Sequence, residues 1–354
     1  MSHSVLKTDC IRPVYIRCNA GGEYGLGHLS RMTTFARCMR GAGFSNICFL
    51  LHSQIFNRLA SDLAAGGFEA VQMQMAAGTV MDIAETHDVL LPRPHAETGI
   101  FVCDARTIGT DYLSQIPPDF LSVIIDDFEE VWPLADIFVN PNPWGGVVIN
   151  GKKVNNNSNL IDPKYFSLTV EEGKQKSEFQ ILLTMGGEDP LNHTLWILQH
   201  AQKQLAECKL RVVIGPSYTS PEHLKNFLEK EYPLAEVLVS PEGLFEAMRN
   251  VDAAVSAGGI TCYELLAAEI PTIAISVEEH QDQLVRYLTS EKAALGVEFA
   301  FNRREHFFVK MFEDFLEGRE LRASLAKRGR ELFSPDGTAQ IVKLILSVLS
   351  DRRK

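Results

Sequence analysis

Ser256-Ala-Gly-Gly-Ile-Thr-Cys-Tyr-Glu264 follows the short apolar run Val251-Asp-Ala-Ala-Val255 and leads into Thr261 to Ala268. The run has the length of a buried strand and the following stretch reads as a helix, so the order is strand, glycine turn, helix. In that order the N–H groups of the turn and of the first helical residues converge on one spot, which favours an anion. Gly258 and Gly259 put no Cβ between the main chain and a phosphate. Thr261 caps the helix or donates to a phosphate oxygen. Glu264, almost one turn later, is placed to accept from two vicinal hydroxyls such as those of a ribose. The alternative is a capping box, with Thr261 and Glu264 closing the helix and the glycines only turning the chain.

Outward from this stretch, strands and helices alternate. Phe179 to Thr184, Leu210 to Ile214, Val237 to Val239 and Thr272 to Ile275 read as strands, with the loop Met185-Gly-Gly-Glu-Asp-Pro190 after the first of them. In the first half, Val14 to Cys18, Ile47 to Leu51, Gly99 to Cys103, Leu121 to Ile125 and Ile137 to Val139 read the same way. His28 to Arg40 carries apolar residues at helical spacing, and the last ~50 residues read as wholly helical. Alternation of this kind predicts parallel sheets built from βαβ units. Asn140 to Lys164 is rich in Pro, Gly and Asn and has neither period, so the domain junction is expected there. The expected domains are residues 1–157 and 158–354, the second keeping the terminal helices.

Composition narrows the function. The 354 residues carry a net charge of −11, with 45% hydrophobic and 22% charged residues. Two domains are the default at this length. Long nucleic acid is not an expected partner, because no basic run exceeds Asp351-Arg-Arg-Lys354. The seven cysteines form no Cys-x-x-Cys pair and sit largely in apolar runs, which fits reduced core residues of a cytosolic protein. Met1 to Arg12 has no apolar signal region, and no window is long and apolar enough to span a bilayer. Oligomeric state is not legible.

The first half holds its own candidate, Gly25-Leu-Gly-His-Leu-Ser30. It approaches a dinucleotide fingerprint, but Ser30 stands at the third glycine and the second strand ends in Leu51-His-Ser53 without an acid. His28 stands where loop becomes helix. There the helix end disfavours an imidazolium, and a neutral ring can serve as a general base; the alternative is a histidine that only caps the helix. Asp104 and Asp126-Asp127, at strand ends, are expected to cap the next turn or helix, and no metal site is expected. His280 and Gln281 follow the strand Thr272 to Ile275, at the edge where ligands bind in open α/β sheets; the alternative for His280 is an exposed loop histidine.

Four motifs occur in order: Arg17-x-Asn19, Gly25-x-Gly27-His28-x-x-Arg31, Leu183-Thr-Met-Gly-Gly-Glu-Asp-Pro190, and Ser256-Ala-Gly-Gly-x-Thr-x-Tyr-Glu264. Together they resemble the PseG/SpsG family of nucleotide-sugar hydrolases and polysaccharide-biosynthesis proteins, over about Val14 to Tyr287. The second-half motif is shared more loosely with MurG-type glycosyltransferases, and Asp162-Pro-Lys-Tyr-Phe166 resembles the family's junction segment. The resemblance implies a GT-B-like architecture of two Rossmann-like domains, with the terminal helix often returning to the first. It implies a uridine diphosphate held by Gly258, Gly259, Thr261 and Glu264, with Gly186 and Gly187 near the diphosphate. His28 would be the base in metal-independent attack of water on the anomeric carbon, with Arg17, Asn19, Gly25, Gly27 and Arg31 among the substrate-binding residues. No cofactor is implied. The chain departs from the family at Asn19, usually Asp, at Arg106, where a Tyr is usual, and at His280, usually Asn. Arg106 suits an anionic sugar or acceptor. The expected function is hydrolysis of a UDP-sugar, with glycosyl transfer and non-catalytic nucleotide-sugar binding as alternatives.

Overall fold

A computed structural model describes residues 12–21, 24–91, 99–105, 110–127, 135–155, 158–168, 179–241, 243–301 and 304–352. The chain divides into two compact units. One comprises Met1–Ile161 with Pro335–Lys354, the other Asp162–Ser334.

The first unit is built on a sheet of eight described strands: β1 (Val14–Asn19), β2 (Ile47–His52), β3 (Glu69–Gln72), β4 (Gly99–Asp104), β5 (Phe120–Ile125), β6 (Ile137–Asn140), β7 (Gly146–Ile149) and β8 (Lys152–Asn155). Their order is β3-β2-β1-β4-β5-β6-β7-β8. The strands β1 to β6 pair in parallel, while β6–β7 and β7–β8 are antiparallel. Every residue of β1, β4 and β5 is buried, as a sheet covered on both faces requires. The hairpin β7–β8 lies inside the stretch read from sequence as structureless. Its strands are only four residues each, and β8 is mostly exposed, so neither carries a clear apolar alternation.

The helix Gly337–Asp351 belongs to this unit, contrary to the expected 158–354 domain. Its Ile341, Val342, Ile345 and Leu349 are buried in one core with Phe35 and Met39 of the helix Gly27–Gly41. Asn155 donates to Gln340 at 2.9 Å and Arg352 to the Phe120 carbonyl at 3.2 Å, which fastens both ends. The unit boundary, after Ile161, falls four residues beyond the expected 157.

The second unit has β9 (Gln180–Thr184), β10 (Lys209–Ile214), β11 (Glu236–Val239), β12 (Ala253–Ala257), β13 (Thr272–Ile275) and β14 (Leu295–Val297), ordered β11-β10-β9-β12-β13-β14 and all parallel. The helices Glu305–Glu317 and Arg319–Glu331 close it, with Phe308, Phe312, Phe315 and Leu325 in its core.

In each sheet the strand order reverses once. The reversal lies between β1 and β4 in the first unit and between β9 and β12 in the second. At such a point successive helices run to opposite faces and the loops part, leaving a crevice at the carboxyl edge.

Candidate active site

At the reversal in the first unit, β1 ends at Asn19 and its loop leads into the helix Gly27–Gly41, while β4 ends at Asp104. His28 lies in the first turn of that helix. The helix N-cap is Leu26, with no side-chain cap, so His28 is not a capping residue. Its Nδ1 lies 2.7 Å from Asp104 Oδ1. Arg31, one turn on, donates from Nε to Asp104 Oδ2 at 2.6 Å, and from Nη1 and Nη2 to the two oxygens of Asp127 at 2.7 and 3.0 Å. Asn142 in turn donates to the Asp127 carbonyl at 2.6 Å.

Burial would raise the Asp104 pKa, but Arg31 and His28 outweigh it and hold the carboxyl well below the usual carboxylate range. An ionised carboxylate is an acceptor only, so Nδ1 of His28 carries the proton. Arg31 Nη2, at 3.1 Å from Nδ1, is itself a donor and spends its hydrogens on Asp104 and Asp127. Nε2 is then the basic atom of the ring. One guanidinium faces two carboxylates here, so a proton arriving at Nε2 completes the charge balance.

These contacts correct the reading of Asp104 and Asp127 as caps. Their partners lie 73 to 96 residues away, and no local spacing signals them. Arg17 is corrected too. It is fully buried and spends its guanidinium on Asp82 (2.8 and 2.9 Å) and the carbonyls of Leu50, Cys18 and Met75, so it braces the sheet rather than meeting a ligand. Asn19 accepts from the Ala77 N–H at 2.7 Å and pins the loop after β3. Gly25 has φ +61°, and a Cβ there would meet only open space. Arg106 lies outside the described residues.

At the reversal in the second unit the chemistry is main-chain. β12 runs into Gly258 and Gly259, and the helix Ile260–Ala267 begins with Gly259 as N-cap and no side-chain cap. The capping box is thereby excluded, since Thr261 lies inside the first turn. The helix His193–His200, which follows β9, contrasts with it: Asp189 accepts from the N–H groups of His193 and Thr194 at 2.7 and 2.9 Å and closes that end. The two glycines differ. A Cβ on Gly258 would lie 2.7 Å from Val285 Cγ2, so that residue is glycine because a helix packs on it; one on Gly259 would meet nothing. Gly186, after β9, has φ +78° and open space beside it, and Gly187 follows it half-buried.

Glu264 lies one turn into the helix Ile260–Ala267. It is buried, and burial pushes its pKa up to about 7, partly offset by Tyr165 and Lys164 nearby. After β13, Gln281 accepts from the Val277 N–H at 2.9 Å, and His280 is exposed with Nδ1 at 3.2 Å from Glu278. The structure thus brings Gly186, Gly187, Gly258, Gly259, Thr261, His280 and Gln281 to one edge of one sheet. Among the described residues no group of acids, histidines and cysteines could hold a metal, and no helix is long and apolar enough to cross a membrane.

Comparison with solved structures places this architecture. MnaA of S. aureus with UDP superposes with a TM-score of 0.66 at 10% identity, over 96% of this chain and 97% of that one. MurG of Acinetobacter baumannii gives 0.65 at 14%, over 95% and 100%. The spinosyn rhamnosyltransferase SpnG with thymidine diphosphate gives 0.64 at 13%, over 94% and 99%. The fold is GT-B. At these identities the likeness shows the fold alone. In sequence, an uncharacterized protein of Methanocaldococcus jannaschii is 22% identical over 287 residues, 73% of this chain and 54% of that protein. The spore coat polysaccharide biosynthesis protein SpsG of Bacillus subtilis is 23% identical over 188 residues, 52% of this chain and 55% of that one. The chain spans little more than half the length of the curated relatives it matches. No family model matches it.

Proposed function

We propose that the protein is an enzyme that uses a nucleotide sugar, breaking the bond between the anomeric carbon and the diphosphate. The observation that carries this reading is the pairing of His28 with Asp104 at 2.7 Å, in a GT-B chain whose other sheet ends in an uncapped, glycine-led helix. In this reading the second unit holds the diphosphate on the N–H groups of Gly259 and the first turn of Ile260–Ala267, while Glu264 takes the ribose hydroxyls. Negative charge gathers on the departing diphosphate, and fixed amides at a helix N-terminus stabilise it without reorganising.

His28 of the first unit takes the proton. Nε2 removes it from the attacking hydroxyl as the new C–O bond forms and the anomeric C–O bond to phosphate breaks. Asp104 keeps Nδ1 protonated and stabilises the imidazolium, and Arg31 keeps Asp104 ionised. Such a base contributes about 10²- to 10⁴-fold in rate. Attack opposite the leaving group inverts the anomeric carbon.

With water as the attacking group the enzyme is a UDP-sugar hydrolase, the reading supported by the four ordered motifs. With a sugar or other hydroxyl it is a glycosyltransferase, supported by the relatives and neighbours named for polysaccharide biosynthesis and rhamnosyl transfer. Incubation with a panel of nucleotide sugars and no acceptor tests the pair. Release of nucleoside diphosphate under those conditions supports hydrolysis; release only on adding acceptor supports transfer. Binding without turnover, unchanged in His28→Ala, would overturn both.

A further inference from the structure

Asp127 has no task in the chemistry above, yet it takes up half of the Arg31 guanidinium. Arg31 donates to its two oxygens from Nη1 at 2.7 Å and Nη2 at 3.0 Å, and to those of Asp104 from Nε at 2.6 Å and Nη2 at 2.5 Å. One planar guanidinium thus lays a fork on each of two carboxylates. Burial favours loss of the Arg31 proton, but Asp104 and Asp127 outweigh it and hold its pKa well above the usual arginine range. Asp127 is itself held. It lies just beyond β5, and Asn142, in the turn between β6 and β7, donates to its carbonyl at 2.6 Å. The Asn142 N–H donates in turn to Asn140 Oδ1 at 3.0 Å, at the end of β6. A fork on Asp104 alone already fixes the guanidinium in place. The second carboxylate needs another reason.

Charge supplies that reason. With His28 neutral, the cation of Arg31 faces the two anions of Asp104 and Asp127, and a proton on Nε2 cancels the excess. Without Asp127 the same proton leaves a net positive charge among His28, Arg31 and Asp104, none more than 8% exposed. An unbalanced charge is costly in such surroundings. The other titratable groups there, among the described residues, do not replace Asp127. On β1 and β4 stand Cys18 and Cys103, whose thiols burial pushes up and so keeps neutral. Arg17, also on β1, is spent on Asp82. Asp126, one residue before, is buried as well, but the charge partners of Arg31 are Asp104 and Asp127.

We propose that Asp127 is a positioning residue for the base: by balancing Arg31 it lets His28 hold a proton at Nε2 without leaving a net charge in the crevice. The inference rests on the reading of His28 as that base, and acts through Arg31 rather than by touching the ligand. A charge removed one guanidinium away from the ring changes its proton affinity by about 10-fold at the effective dielectric of a partly buried site.

Magnetic resonance titration of the full chain, with isotopically labelled histidine, tests this without any ligand. His28→Gln identifies the His28 signal by its loss. In the native protein the neutral ring should show the nitrogen shifts of the Nδ1-protonated tautomer. Asp127→Asn, which keeps the shape and loses the charge, should lower the His28 titration midpoint by about one pH unit. Asp127→Ser is the second variant and should lower it alike, while Asp127→Glu should restore most of the native midpoint. With a nucleotide sugar that is turned over, the acid limb of kcat/KM should move with the midpoint, and kcat above the limb should fall about 3-fold. If the midpoint stays in place or rises in Asp127→Asn, the role is overturned however far turnover falls, because a merely structural Asp127 lowers turnover without moving the ring. If the midpoint falls as expected but turnover survives in His28→Gln, the charge role stands and the reading of His28 as base falls.

Discussion

Where the strand order reverses in the first unit stand ionisable side chains: His28, Arg31, Asp104 and Asp127, locked to one another at 2.5 to 3.1 Å. At the same place in the second unit stand Gly258 and Gly259 and an open helix end. The two sheets share the order of their first six strands, so the scaffold does not account for the difference. A proton must be taken at a stated atom, and that needs side chains held against one another. A diphosphate must be surrounded, and that needs bare amides. On the proposed function, the repeated fold divides binding from proton transfer by what fills each crevice.

Removing the imidazole should break the comparison hardest. His28→Gln is expected to lower turnover by about 10²- to 10⁴-fold and leave nucleotide affinity within about 2-fold, read by steady-state kinetics beside calorimetry. An equal loss in both would place the nucleotide on His28. Asp104→Asn should cost roughly 10²-fold or more in kcat, because the carboxylate no longer fixes the Nδ1 proton.

The glycine pair sharpens the second half. Gly258→Ala should cost about 1–3 kcal/mol of stability, since its Cβ meets Val285. Gly259→Ala should leave the thermal unfolding midpoint almost unchanged yet weaken UDP by about 10-fold, because its Cβ stands where the ligand approaches. Equal behaviour of the two would remove the proposed diphosphate site.

Acidity gives a smaller effect. Burial pushes Glu264 up to about 7 from 4.5, with Tyr165, Lys164 and Asp162 as its neighbours. The folded state therefore binds more protons than the unfolded one between about pH 4.5 and 7, and stability falls as pH rises through that window. Hydroxyls donate to the ionised form, so affinity for a UDP-sugar should rise as pH passes upward through about 7. Glu264→Gln should flatten that slope.

Much of this was legible in the chain. The strand–glycine–helix order at Ser256 to Glu264 gave the second sheet's crevice, and the apolar runs gave most of the parallel strands. The short strands β3, β7, β8 and β14 were missed, because three or four half-exposed residues show no period. Tertiary pairing decided the rest. Arg17, a charge inside a strand, reads like a ligand-facing group until Asp82, 65 residues on, is seen to meet it. Asp104 reads like a cap until the fold carries it to His28. The terminal helix shows its apolar face in sequence, but not which core receives it.

The division of labour can be tested most directly by following backbone amide resonances during titration with UDP. The account predicts shifts at residues 186–187 and 259–262, with those of 25–31 unmoved. Shifts confined to 25–31, with the turn after β12 silent, would contradict it.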